Sequence, residues 1–389
     1  MIGAALSAWA GGLSAQSSME EVLQSIEANN KDLQANEQLI QSRKLEARLD
    51  NNLPDPSVSY SHQYGNKDGL GTQGELIASQ SFDFPTVYVQ KHKLSKAKAA
   101  GIDREGEAFR QQILLQAKEV CLDLILLNQQ KSLLDERMRN AERLSAIFAT
   151  RLEQGDANIL ETNKIQLELL NAKNEARMNE TARIAKLQEP ATLNGGIEIE
   201  FTDTAYTPLP DILSFEDLRN EVLDTDYRLL SLRSDQVTAS RQLSVNKSKW
   251  LPGLELGYRL NTQAGGERFN GFLVGVTIPL FSNRNQVKQA KAQALFTDMR
   301  LESESYTVEN ELLELYNRSV ALKTSLDEYE DVLDSQDNLA LLNKAIEAGQ
   351  ISMIEYFVDV TTYYQSVQNY LQLRNQYEKV VAEMYKQRL

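Results

Sequence analysis

The sequence has little of what catalytic and metal-binding sites are usually built from. Its 389 residues include one cysteine, Cys121, and two histidines, His62 and His92. A single cysteine excludes a disulfide framework and a cysteine-based zinc site. The histidines have no nucleophile or carboxylate cluster around them, and no glycine-rich phosphate loop occurs. No enzyme and no cofactor are expected. Met138, Met178, Met299, Met353 and Met384 are scattered, as packing residues are, and do not form a relay for soft metals. No run of 18 apolar residues exists to cross a bilayer as a helix. Net positive charge is missing too. The formal charge is −14 and the isoelectric point about 4.9, which excludes nucleic acid as a partner, because binding phosphates needs a basic face.

Proline and glycine are also scarce, and their positions organise the chain. The eight prolines stand at 54, 56, 85, 190, 208, 210, 252 and 279. Residues 86–189 and 280–389 have none, which permits two very long helical segments. After Gly106, Gly155 is the only glycine of the first segment, and Gly349 is the only glycine of the second. Each suits the turn of a helical hairpin, where glycine takes the left-handed conformation that ends a helix. Pro85 and Gly155 are 70 residues apart, and so are Pro279 and Gly349. "EQGDANILE" (153–161) matches "EAGQISMIE" (347–355), and "LP" recurs at Leu53–Pro54 and Leu251–Pro252. The chain is therefore read as two copies of one unit of about 195 residues.

The duplication sets the expected domains. Residues 1–15 are read as a signal peptide, because "MIGAALSAWAGGLSAQSS" is small, apolar and uncharged, with "LSA" before Gln16. No cysteine near that junction offers a lipoprotein anchor. Residues 16–189 form the first repeat, with a β-hairpin at 56–84 and a tip near 155. A connector covers 190–214, with a short strand at Ile197–Phe201. Residues 215–389 form the second repeat, with a β-hairpin at 253–279 and a tip near 349. Single helices are expected over 19–50 and 215–249, and long helices after Pro85 and Pro279.

The long helices carry heptad seams. Val308, Leu312, Leu315, Ser319, Leu322, Leu326, Tyr329 and Leu333 recur in steps of four and three. Phe109, Ile113, Ala117, Val120, Leu124 and Leu127 run similarly, with Cys121 beside them as a buried apolar residue. A helix of about 68 residues is about 100 Å long. The helices alone also fit a secreted or surface trimeric coiled-coil rod or adhesin.

The strands decide against the rod. In 57–64 the residues Val58, Tyr60, His62 and Tyr64 alternate with Ser57, Ser59, Ser61 and Gln63. Leu254, Leu256, Tyr258 and Leu260 alternate with Glu255, Gly257 and Arg259. Phe272, Val274, Val276 and Ile278 alternate with glycines and Thr277, Leu273 being the exception. One apolar face and a length near ten residues match transmembrane β-strands, with Val58, Tyr60, Leu256, Tyr258, Val274 and Val276 toward lipid. Four strands do not close a membrane barrel, and lipid does not tolerate an open edge, so the chain must oligomerise.

With these features in place, the sequence resembles the TolC-like outer-membrane efflux channels. The resemblance rests on the duplicated unit, the paired "LP", "QSFDFP" (80–85), "GVTIPLF" (275–281) and the two tips with an acid six residues after the glycine. It implies a mainly α fold with membrane β: a homotrimer with a 12-stranded barrel in the outer membrane of a Gram-negative bacterium, continued by an α-helical barrel through the periplasm. It implies a passive exit duct for small molecules or metal ions that docks a periplasmic adaptor and an inner-membrane transporter. Docking falls on Leu152, Gly155, Ile159, Leu160, Ile346, Gly349, Met353 and Ile354. Glu161 and Glu355, with Asp359, fall at the periplasmic entrance, where a ring of carboxylates attracts cations. The chain departs from the family pattern at Ile351, where the best-studied member has an arginine, and at Val358, where a second acid is expected.

Overall fold

Capping side chains, more than proline, set the ends of the helices. The computed structural model describes residues 18–209, 211–334 and 338–389. The signal peptide expected over 1–15 lies outside the described residues. The first repeat runs α1 (Met19–Asn29), α2 (Lys31–Leu49), β1 (Ser57–Tyr64), β2 (Thr72–Phe82), α3 (Pro85–Gln154) and α4 (Ile159–Leu193). The second runs α5 (Phe215–Thr225), α6 (Tyr227–Ser248), β3 (Gly253–Gln263), β4 (Arg268–Thr277), α7 (Gln286–Asp334), α8 (Asn338–Glu347) and α9 (Met353–Met384). The same order occurs twice, with residues 335–337, between α7 and α8, outside the described residues.

Several expectations are corrected. The helices expected over 19–50 and 215–249 are each split in two. At the first break the Asn30 side chain accepts from Leu33 N–H at 2.9 Å, and at the second Asp226 accepts from Arg228 N–H at 2.8 Å. These side chains satisfy orphan donors of a new helix start, so the chain bends there instead of continuing. Pro190 does not end α4. It sits in the last turn, and the helix ends at Gly195 and Gly196, both at positive φ, whose N–H groups donate to Thr192 O and Ala191 O. No strand forms at 197–201. Phe201 is buried there, and nearby backbone is held by a side chain, Asn128 Nδ2 donating to Asp203 O at 2.9 Å.

Pro85 is the first residue of α3, the position where its missing N–H costs least. Pro279 is different. Residues 278–285 are irregular, Asn285 has φ +65°, and α7 begins only at Gln286.

Contacts divide the chain into two compact units, and neither is one sequence repeat. One joins Ala35–Phe109 with Asn220–Glu309, and the other joins residues up to Gln34 with Arg110–Arg219 and Asn310–Leu389. The first unit contains the sheet, in the order β1-β2-β3-β4 with every pair antiparallel. The second contains both glycine turns and most of the buried heptad positions. Ile113, Ala117, Val120 and Leu124 are buried on α3, as are Leu312, Ser319, Leu322 and Leu326 on α7. Cys121 is fully buried among them, and burial pushes its thiol up to about 12.

Candidate functional site

The sheet register brings every predicted lipid-facing residue to one face. Directly opposed residues of antiparallel strands share a face. Val58 opposes Ala78, which opposes Tyr258, which opposes Phe272. Leu256 opposes Val274, and Leu254 opposes Val276. This face is bare in the chain: Phe272 is 92% exposed, Val274 73% and Val58 72%. The other face carries Ser57, Ser59 and Ser61 with Ser79, Glu75 and Arg259, though Ile77, Phe269 and Leu273 also lie on it. Ser57 Oγ and Ser79 Oγ are 3.0 Å apart, and Glu75 pairs with Arg259 across β2 and β3. A sheet with its apolar side exposed and its polar side internally bonded is the reverse of a soluble half-buried sheet.

The tips are built by matched caps. Gly155 has φ +81° and Gly349 +68°. Gly155 N–H donates to Leu152 O and Asp156 N–H to Arg151 O; Gly349 N–H donates to Ile346 O and Gln350 N–H to Ala345 O. This is the Schellman arrangement, in which a left-handed residue lets two N–H groups fold back on the helix end. The next helix starts on a reciprocal cap. Ser352 N–H donates to Glu355 Oε2 at 2.8 Å and Glu355 N–H to Ser352 Oγ at 3.2 Å. Asn158 N–H donates to Glu161 Oε2 at 2.9 Å, and its side chain caps the start of α4. The sequence signal for both is an N-cap residue three positions before Glu, in "NILE" and "SMIE". Reading the two acids only as entrance residues missed it. The backbone bond from Ser352 holds the Glu355 carboxyl below its ordinary value.

Burial sorts the predicted docking residues. Ile159, Leu160 and Ile354 are exposed, Gly155 and Gly349 lie at the open turns, and Leu152 is half-buried. Ile346 and Met353 are corrected. Both are buried in a cluster with Leu144, Phe148, Ile165, Tyr356 and Val360, so their side chains are core and not surface. Asp359 and Glu355 are exposed, and Glu161 is half-buried. Polar bonds unseen from the sequence tie the α3 end to α8 and α9. Arg151 Nη2 donates to Glu347 O at 2.6 Å, Arg143 pairs with the Glu347 carboxylate, and Asn140 Nδ2 donates to Tyr356 Oη at 2.8 Å. Nothing in the local sequence pattern signals these long-range partners.

Among the described residues no three His, Cys, Asp or Glu side chains are grouped to hold a metal, and no helix is long and apolar enough to cross a membrane. The architecture combines a four-stranded sheet whose apolar face is exposed with long helical hairpins closed by glycine turns.

The comparisons agree. Residues 218–386 match the family model described as outer membrane efflux protein. A membrane protein from Pseudomonas aeruginosa superposes with a TM-score of 0.78 at 14% identity, covering 97% of this chain and 93% of that one. CusC, described in terms of folding and transmembrane channel formation, gives 0.75 at 15% identity with coverages of 97% and 93%. The Campylobacter jejuni CmeC outer membrane channel gives 0.70 at 14% identity, covering 100% of this chain and 93% of that one. At such identities the superpositions establish the fold. No curated protein matches the sequence. Residues 218–386 therefore carry the sequence pattern of the outer membrane efflux protein family, and the chain as a whole has the fold of these outer-membrane channels.

Proposed function

We propose that three copies of this chain close a 12-stranded barrel through the outer membrane, and that their long helices line a periplasmic duct. The observation that carries this reading is the open sheet. Strands β1 and β4 are both edges of a four-stranded sheet whose exposed face is apolar. Lipid offers no hydrogen bonds to such edges, so β4 of one copy pairs with β1 of the next until the ring closes. Three copies supply twelve strands, within the range of membrane barrels.

The duct is the passive exit of a tripartite exporter. Its tips receive a periplasmic adaptor, which links it to an inner-membrane transporter that supplies the energy. Ile159, Leu160 and Ile354 are the side chains free to make that contact, around the open turns at Gly155 and Gly349, with half-buried Leu152 at their edge. Glu161, Glu355 and Asp359 repeat around the three-fold axis at the entrance and favour cations there. The cargo is a small molecule or a metal ion. A cysteine on β1 and another on β4 test the ring: oxidation should give a cross-linked ladder that ends at three chains. Cys121 is buried and does not compete. A ladder ending at two, or none in the membrane fraction, contradicts the reading.

A further inference from the structure

On the side where the strands join helices, the β3–β4 half of the sheet is flanked by a run of basic residues. The C-terminus of α6 is tied to the entry of α7: Asn246 Nδ2 donates to Gln286 O at 3.1 Å, and Asn283 Nδ2 donates to Lys249 O. This tie sets the segment that carries Lys247 and Lys249 beside the one that carries Arg284 and Lys288. Lys247, Arg284 and Lys288 are exposed, Lys249 is half-exposed, and none has an acidic partner among the described residues. The chain carries 55 acidic against 41 basic residues, yet 236–254 and 268–297 contain no acid at all. The hairpin turns at the opposite end of the sheet are balanced, with Lys67 beside Asp68 and Glu267 beside Arg268.

Apolar side chains continue from the sheet into the same place. Trp250 is three residues before β3 and 48% exposed, and Phe281, four residues after β4, is 83% exposed. Lys249 and Arg284 are four and seven residues from the strand ends. The polar zone of a bilayer is about 5–8 Å deep on each side, which long cationic side chains can reach while their stems stay on apolar surface.

We propose that this patch binds the phosphate groups of anionic phospholipids in the periplasmic leaflet of the outer membrane. Trp250 and Phe281 seat at the glycerol level, and Lys247, Lys249, Arg284 and Lys288 hold the headgroups. The patch fixes the depth of the barrel and selects the lipid around it. The inference rests on the reading of the sheet as membrane-spanning. It goes beyond that reading in naming a lipid class and a leaflet. The charge is complementary to anionic headgroups, and the patch is continuous with the lipid-facing apolar surface.

The test uses the full-length protein reconstituted into phosphatidylcholine vesicles with or without phosphatidylglycerol. Lipid retained after mild delipidation is read by native mass spectrometry. The wild type should retain phosphatidylglycerol over phosphatidylcholine by about fivefold or more, and the preference should fall with added salt. Lys247→Gln/Lys249→Gln/Arg284→Gln/Lys288→Gln should bring the ratio close to one, while Lys67→Gln/Arg268→Gln should leave it unchanged. A wild type without preference overturns the proposal, whether or not the quadruple variant folds. Displacement of the lipid by inorganic phosphate beyond that by chloride at equal ionic strength also overturns it, because the patch would then be a site for free anions. Vesicles that take up conducting protein but show no lipid preference refute only this inference. Failure to insert into any vesicle refutes the membrane reading itself.

Discussion

Ser352 and Glu355 cap one another: each backbone N–H donates to the other's side chain, at 2.8 Å and 3.2 Å. The carboxylate proposed to guard the channel entrance therefore also starts α9. Its two roles separate by substitution. Glu355→Gln keeps an acceptor for Ser352 N–H and should leave the tip intact while weakening cation selectivity in single-channel recordings. Glu355→Ala should disturb both. Ser352→Ala should cost about 1 kcal/mol of local stability, read as faster hydrogen exchange at the tip. If Glu355→Gln and Glu355→Ala alter selectivity and exchange alike, the separation is wrong.

The same cap makes the tip sensitive to acid. The Glu355 carboxyl titrates lower in the folded chain than in the unfolded one. Its contribution is therefore complete above the ordinary glutamate range and lost as pH falls through the depressed folded value. Protection from hydrogen exchange at the start of α9, relative to the unfolded chain at the same pH, should hold at neutral pH and fall only in acid below that range, and Glu355→Gln should abolish this acid step. A tip that loosens between pH 6 and 8 by about the same amount in both proteins contradicts the assignment.

A charge on the apolar sheet face should be far more costly than one on the polar face. Val274 opposes Leu256 in mid-strand and is 73% exposed. Val274→Arg should reduce assembled protein in the outer membrane, by about 2–4 kcal/mol if it lies at the bilayer midplane. Ser59→Arg, on the other face, should assemble normally. Equal amounts of the two variants in that fraction reject the strand phase.

Much of this was legible in the sequence because periodicity and glycine placement are local. Alternation alone put Val58, Tyr60, Leu256, Tyr258, Val274 and Val276 on the apolar side, and the register agrees strand by strand. The spacing of Gly155 and Gly349 located both turns, each at positive φ. The failures have physical causes. Asn30 and Asp226 cap new helices inside segments whose composition reads as continuous helix. Pro190 is tolerated in a last turn, so proline overstated a boundary there. Ile346 and Met353 flank the second turn, but whether an apolar side chain near a turn faces the core or solvent depends on neighbours such as Leu144, Phe148 and Ile165, which are distant in sequence.

The glycine at the second tip should matter to docking more than to folding. A β-carbon at Gly349 meets no atom within 4 Å, so the cost of substitution is conformational. It is about 1–2 kcal/mol for a left-handed residue, and Gly349→Leu should still yield assembled protein in the membrane. Cross-linking to the adaptor and export should both be lost. Export at the wild-type rate leaves Gly349 only its turn geometry.

Cys121 should be inert in the folded protein. It is fully buried, and its thiol is pushed up to about 12, so almost no thiolate exists at neutral pH. Maleimide should label it only after denaturation. Rapid labelling of the native protein would contradict the burial of Cys121 on α3.

The proposed ring of three stands or falls with the mass of the detergent-solubilised native assembly. Light scattering with detergent subtracted should give three chain masses, unchanged over a wide range of protein concentration. A monomer that stays soluble without detergent would rule out the membrane ring, because it would leave the apolar face of β1–β4 exposed to water with no lipid to cover it.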